Sequence, residues 1–524
     1  MQELITPTAP TDETNRHFIT EHLKADLKGR SVRGAAVTLV TQIGRLVLNT
    51  GSTVVLARLL TVQDFGLLAM VTAITGFVVL SKDLGLSMAT VQKDEIDHNQ
   101  ASALFWVSVA ASVAMALVTA AIAPAVASFY HEPRLKAITL ALASGLILGG
   151  LATQHQALLR RQMRFRALAA VDIGSFAFGA AIAIVLALRG AGYWALVLMQ
   201  LATAFGGTVG VWLACRWRPS LRLRGPGVRA MLAFGWNLAG YNVISYFARN
   251  LDKVLIGWRW GPFQAGLYSK SYQLLLLPIY QINAPVTAVA LPALSRLAAS
   301  PERYRHAYLR IQEKVTMITM PGVAMMVATS DWIVSLILGP QWTGATRIFM
   351  LLSIAAFTQP VAQTVGWLFI TQGRTRELLD WGIIGGVLTI GPIVAGLPWG
   401  AVGVAASFSI TGVCLRTPLL FWLAGRRGPV SSGDVYRGSV PSVCASSAAL
   451  LALLAFRRWV PVSNPGVGLA IALGITTFVA AGALWIQPAG RRALLDLRSL
   501  FDLLTRPSEN EHPDQTGKGL AGDD

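Results

Sequence analysis

The chain has 524 residues, 54% hydrophobic and only 13% charged, with a formal charge of +18; soluble globular chains carry about 25% charged residues. That balance excludes an ordinary soluble domain. The cations lie in short segments between apolar stretches rather than on one basic face, which excludes a nucleic-acid binder. Cys215, Cys414 and Cys444 stand far apart without metal or redox spacing and imply no disulfide framework.

Residues 1–33 read as a polar, cytoplasmic N-terminal tail. Phe18, Ile19, Leu23 and Leu27 recur there at helical spacing, which suits a short surface-lying helix or a solvated tail with some helix. A cleavable signal peptide would put its apolar core near the start, and this chain does not. Apolar runs then predict about 14 transmembrane helices, near 34–58, 65–81, 101–127, 137–158, 168–188, 192–214, 230–257, 264–292, 315–338, 346–371, 379–397, 399–424, 439–456 and 465–487. A helix needs roughly 20 residues to cross a hydrocarbon core of ~30 Å, and only helices or closed barrels satisfy the backbone there. Pro398-Trp399-Gly400 makes one very tight connection. The division is an N-lobe at 34–214 (helices 1–6), a basic Pro/Gly-containing linker at 215–229 and a C-lobe at 230–424 (helices 7–12). A further helix pair lies at 438–487, and a cytoplasmic C-terminal tail at 488–524, polar from Pro507 onward.

Orientation follows from the loops. With the N-terminus inside, the inner loops hold 21 Lys and Arg against 8 in the outer ones, so both termini are predicted to be cytoplasmic. No loop has room for a soluble catalytic domain. A shift of 200 positions matches Val54 to Val254, Gly66 to Gly266 and Leu67 to Leu267. Six helices separate the two regions, so the halves form a parallel repeat about an axis along the membrane normal, as many transporters do.

Polar residues inside these helices carry the functional reading. The first helix bears Thr38, Gln42, Arg45, Asn49 and Ser52 on one face; the seventh bears Asn242, Ser245, Arg249 and Asp252. The 200-residue shift superposes the two stripes. Lys253 lies beside the second, and Lys270, Gln273 and Gln281 share roughly one face of the eighth helix. A cation at the bilayer centre costs ~2.5–3.5 kcal/mol on insertion scales, so such groups face a bundle interior or a watery cavity. The predicted cavity is lined by Arg45, Arg249, Lys253 and Lys270, with Gln42, Asn49, Asn242, Asp252, Gln273 and Gln281. For Arg249 the alternative is pairing with Asp252 and snorkelling outward. Arg58 and Arg259, at helix ends, read as interface anchors. Pro278, Pro285 and Pro292 recur every seven residues in the eighth helix and predict a bend.

No phosphate-binding loop, H-E-x-x-H or G-x-S-x-G occurs, and the histidines lack metal spacing. The run Asp94-Glu95-Ile96-Asp97 reads as a solvated loop rather than a metal site. No catalytic residue, metal site or cofactor is predicted, and the chain is not expected to be an enzyme.

The stretch Val54–Met70 (V-V-L-A-R-L-L-T-V-Q-D-F-G-L-L-A-M) resembles the first helical junction of bacterial Wzx-type polysaccharide and lipopolysaccharide export flippases, a branch of the multidrug/oligosaccharidyl-lipid/polysaccharide exporter superfamily. Asn250–Arg310 does too, through N-L-D-K-V-L-I-G, A-G-L-Y-S-K-S-Y-Q-L-L-L-L-P, L-P-A-L-S-R-L and P-E-R-Y-R-H-A-Y-L-R. The resemblance spans roughly residues 30–490. It implies two lobes around a cationic cavity and alternating access in the bacterial inner membrane. The implied substrate is an undecaprenyl-diphosphate-linked oligosaccharide, handed on to the polymerase and chain-length machinery of the same pathway. The family shares no fixed set of cavity cations, so assigning Arg45 or Arg249 to substrate rests on the helix-face argument. The competing readings are a cation-coupled multidrug exporter, for which Asp172 and Asp252 are the main buried-carboxylate candidates, and a non-transporting scaffold of a synthesis complex.

Overall fold

The computed structural model describes residues 27–81, 90, 96–220, 228–488, 490–492 and 495. The tail helix expected around Phe18–Leu23 and the acidic residues Asp94 and Glu95 lie outside them. Among the described residues the fold is all-helical. The first half consists of α1 (Leu27–Leu59), α2 (Val62–Ser81), α3 (His98–Phe129), α4 (Arg134–Arg161), α5 (Phe165–Leu188) and α6 (Tyr193–Cys215). A long run, α7 (Val228–Leu297), breaks at Gly261 (φ 75°, ψ −173°) into arms 228–260 and 262–297. There follow α8 (Pro301–Ala328), α9 (Ser330–Ile337), α10 (Ala345–Ala356), α11 (Gln359–Thr371), α12 (Thr375–Gly396) and α13 (Gly400–Thr411). A π-helical turn, Gly412–Arg416, leads into α14 (Thr417–Gly425), and α15 (Ser432–Trp459) and α16 (Pro465–Ile486) close the order.

Every apolar run singled out in the sequence falls on one of these helices or on two consecutive ones. By length and apolarity alone, seven helical stretches among the described residues suffice to cross a membrane. There are nine if α8 with α9, bent by 82°, and α10 with α11, bent by 41°, each count as one. Part of the shortfall against fourteen comes from Thr375–Gly425 counting as one stretch and from the apolar part of α2 being short, Val62–Gly76; polar stripes account for more. Gln42, Arg45 and Asn49 lower the hydropathy of α1, and Arg249, Asp252, Lys253 and Lys270 lower that of α7.

The heaviest packing joins α2 to α7, and it is reciprocal. A Cβ on Gly66 would lie 1.7 Å from the Pro262 carbonyl oxygen; one on Gly266 would lie 2.3 Å from that of Val62. Only glycine permits backbones to approach so closely. Related contacts surround this crossing, made by Ala57 and Gly257 and by Asp64 and Gln264, each pair 200 residues apart. Trp342 Nε1 donates to the Ala57 carbonyl at 3.0 Å, while the ring of Tyr130 lies against Gly257, where an added Cβ would be 2.9 Å away. Asp64 lies beside Gly192 (φ 55°) at the start of α6, and Gln264 Oε1 accepts from Ala401 N (3.4 Å) beside Gly400 (φ 71°) at the start of α13. These contacts close one end of the molecule around Phe65, Trp342, Tyr268 and Leu267, all buried.

The opposite end carries a second repeated device, offset by 210 residues. Gln162-Met163-Arg164-Phe165-Arg166-Ala167-Leu168 matches Gln372-Gly373-Arg374-Thr375-Arg376-Glu377-Leu378 as Q-x-R-x-R-x-L. Arg164 and Arg374 share the same backbone angles (φ −80°, ψ 54°). Each Nη1 donates to a carbonyl ending the next helix of its pair, Ala214 at 2.9 Å and Ala424 at 2.8 Å.

The first part of the expected linker is docked. Trp217, 1% exposed, donates through Nε1 to His98 Nδ1 (3.1 Å), and Trp106 Nε1 donates to the Ser220 carbonyl (2.8 Å). At the other end of the chain, α15 lies along α8, with Gln312 Nε2 donating to Ser439 Oγ (2.9 Å). Ion pairs fix both its ends, Arg305 to Asp434 and Arg457 to Asp331.

Candidate functional site

Below the closed layer the two arms of α7 diverge from α12 and the π turn. Between them lies a cavity of roughly 900 Å³. Residues 249–253 line it one to two turns before Gly257, and residues 269–277 line it beyond Gly266. Its far wall is Trp381, Gly382, Gly385, Gly386 and Thr389 of α12, with Phe408 and Arg416 from the next helix.

Three cations meet here. Arg249 is solvent-accessible on α7. Lys253 Nζ donates to Asn250 Oδ1 at 2.9 Å and lies 5.6 Å from the Tyr272 ring centroid, a cation–π distance. Arg416 Nη1 donates to Thr389 Oγ1 at 3.2 Å, and its guanidinium lies 4.8 Å from the Phe408 ring centroid. Among the described lining residues the one carboxylate, Asp252, is 7% exposed and engaged within the protein. It accepts from Lys253 N at 2.8 Å and from the Tyr268 hydroxyl. The lining is therefore net cationic in a partly desolvated space, where charge–charge attraction is stronger than in water. Such a site suits an anion of two or more charges.

Of the residues expected from the sequence, Asn49, Arg249, Asp252, Lys253 and Gln273 line this cavity. Asn49 and Arg249 are partners under the 200-residue shift, so the two stripes do meet at one place. Gln42 and Arg45 are exposed on α1 and fall outside the lining, as does Gln281. The reason is axial: seven residues of helix span ~10 Å, and the cavity sits beside the upper turn of the α1 stripe only. Lys270 is also outside; its Nζ donates to Gln273 Oε1 (3.0 Å) and sits 4.5 Å from the Phe65 ring centroid. The side chain of Asn242 lies outside those described. Arg58 donates through Nη2 to the Leu336 carbonyl (2.8 Å), and Arg259 stacks 5.3 Å over Trp260.

Sequence reasoning missed Arg416, Trp381, Tyr272 and Asn250. Arg416 had a signal: it is the single cation in the apolar run 401–425, where a charged side chain is expensive and marks function by default. Trp381 and Tyr272 carried none, because an aromatic residue in a membrane helix is ordinary.

Comparison with known proteins places the chain. The family described as polysaccharide biosynthesis protein matches residues 55–347. The chain is 23% identical over 396 residues to the lipopolysaccharide biosynthesis protein WzxC of Escherichia coli (strain K12), covering 74% of this chain and 79% of that one. It is 25% identical over 368 residues to the succinoglycan biosynthesis transport protein ExoT of Rhizobium meliloti (strain 1021), covering 70% and 74%. Its fold is similar to the inward closed conformation of the lipid II flippase MurJ, with a TM-score of 0.68 at 12% identity, over 90% of this chain and 100% of that one.

Proposed function

This chain belongs to the polysaccharide biosynthesis protein family, and from that premise we propose that it flips undecaprenyl-diphosphate-linked oligosaccharide repeat units across the bacterial inner membrane. In this reading fourteen helices cross the bilayer. Six-helix lobes related by the 200-residue repeat flank the cavity, and both termini are cytoplasmic. The head group enters from the cytoplasm, and the lobes rock to release it on the periplasmic side. The polyprenyl chain stays in lipid throughout. Polymerase and chain-length proteins of the same pathway then use the flipped unit.

The observation that carries the reading is the convergence of Arg249, Lys253 and Arg416 on one cavity where, among the described residues, the one carboxylate is held by the protein itself. A diphosphodiester brings two negative charges into a space that water alone would solvate better, and guanidinium and ammonium groups compensate them through charge-assisted hydrogen bonds. The closed layer at Gly66 and Gly266 supplies the barrier on one side, as alternating access requires. Arg45, one turn below Asn49 on the exposed face of α1, is placed to meet the diphosphate on its way in.

The test is depletion of the protein in its own host, scoring surface polysaccharide together with the leaflet position of the lipid-linked intermediate. Loss of polymer with complete repeat units trapped on the cytoplasmic face is expected. Normal polymer in a host shown to lack a second flippase overturns the reading.

A further inference from the structure

The cavity is larger than a diphosphate requires. At roughly 900 Å³ it lies near the top of the ~300–1,000 Å³ range of small-molecule sites. Its two walls also differ in kind. The α7 wall offers Arg249 and Lys253. The α12 wall offers an indole, bare backbone and one guanidinium.

Trp381 is seated against the buried cluster around Val361, Leu368 and Phe421, so its ring is held. Among the described residues its indole N–H has no hydrogen-bond partner. Beside it, an added Cβ on Gly382 or Gly386 would meet nothing within 4 Å, so α12 presents open space there. Two turns along, Thr389 and Phe408 hold Arg416. Among the described residues Arg416 makes that single hydrogen bond, leaving most of its five donors free. The eight residue steps from Trp381 to Thr389 span ~12 Å of helix, longer than one pyranose ring.

We infer that this wall is the saccharide subsite. Trp381 stacks on the apolar C–H face of a sugar ring, Gly382 and Gly386 leave room for it, and Arg416 donates to hydroxyl or carboxylate oxygens of the glycan. Arg249 and Lys253 take the diphosphate. The inference rests on the flippase reading above and assigns parts within it. An indole offers a large apolar face with one polar N–H, and a forked guanidinium reads planar oxygen pairs. A bare diphosphate has no use for the indole.

The test compares two ligands by native mass spectrometry of the full-length protein in nanodiscs. One is undecaprenyl diphosphate; the other is the sugar-loaded carrier that the host accumulates when polymerisation is blocked. Trp381→Ala is expected to weaken the loaded carrier about tenfold, or ~1.4 kcal/mol, and to leave the bare carrier within about twofold; Arg416→Gln weakens both, the loaded carrier more. Trp381→Phe keeps most of the affinity, because a phenyl ring still offers an apolar face; a purely structural role for Trp381 would instead make the alanine variant lose both ligands together. Equal loss for both ligands, or loss for neither, overturns the assignment while leaving the flippase reading intact. If wild-type protein binds neither ligand, the flippase reading itself fails.

Discussion

Helices α5–α6 and the pair formed by α12 with α13–α14 stand in the same relation to their halves, each opened by a Q-x-R-x-R-x-L turn. At the depth of the cavity they use glycine differently, although Gly396 and Gly403 pack the second pair closely near its other end, an added Cβ on either meeting the other's carbonyl oxygen at 2.4 Å. In the first pair glycine closes the interface. A Cβ on Gly179 would lie 2.0 Å from Thr203 Oγ1 and 2.7 Å from the Met199 carbonyl, and one on Gly210 would meet Val171 at 2.9 Å. In the second pair, Gly382 and Gly386 face open space. Across the 210-residue offset, Val171 corresponds to Trp381. A packed seam in one half thus occupies the place of a cavity wall in the other. The π turn Gly412–Arg416 marks the difference. Its extra residue rotates the face that follows, and such turns recur at functional sites. The Q-x-R-x-R-x-L turn recurs, and a few side chains decide which of the two helix pairs lines the cavity.

The largest test of this asymmetry removes charge. Arg249→Ala combined with Lys253→Ala is expected to cut export by more than tenfold at normal membrane abundance, whereas Arg45→Ala, outside the lining, impairs it less. Polymer yield normalised to protein level in the membrane reads this out, and a larger effect at Arg45 would move the site toward the first half. Next comes volume. Gly386→Leu should fill cavity space and lower export while leaving the yield of monodisperse purified protein unchanged. Gly179→Leu drives side-chain atoms into the Met199 backbone and should destabilise by at least the ~1–3 kcal/mol typical of overpacking, with loss of folded protein. Equal yields for the two variants would erase the contrast. The smallest effect belongs to the turns. Arg164→Ala removes its bond to the Ala214 carbonyl and should cost about 1 kcal/mol. Arg374→Ala should cost more, because its ion pair with Glu377 is lost as well. The two sites lie in different halves, so their effects on thermal unfolding should add.

The sequence made the helices legible because membrane helices are written in contiguous apolar runs. It was less exact where burial is not apolar. The span expected from residue 315 begins at Pro301, since Tyr304, Tyr308 and Gln312 bury one face of an otherwise charged segment. The span expected from 439 begins at Ser432, where Ser431 and Asp434 form a capping box that could have been read. The break between the seventh and eighth spans narrows to Gly261, where the backbone turns within a single residue. Two of the residues matched by the 200-residue shift, Gly66 and Gly266, each face the other segment's backbone, which leaves no room for a larger side chain. The candidate site was only half visible. The stripe through Asn49, Arg249 and Asp252 was found, but Arg416 was overlooked and Trp381 gave no sign.

By itself the sequence determined that this is a helical membrane protein, where its helices lie, which faces are polar, and which family it resembles. Those are local properties, set by hydropathy over one helix and by side-chain spacing along it. Tertiary structure decided which polar residues share a space. That depends on where α7 divides at Gly261, on the close crossing of α2 with α7, and on the rotation introduced at Gly412–Arg416. Periodicity along a single helix records which face is polar, but not what the neighbouring helix places opposite it.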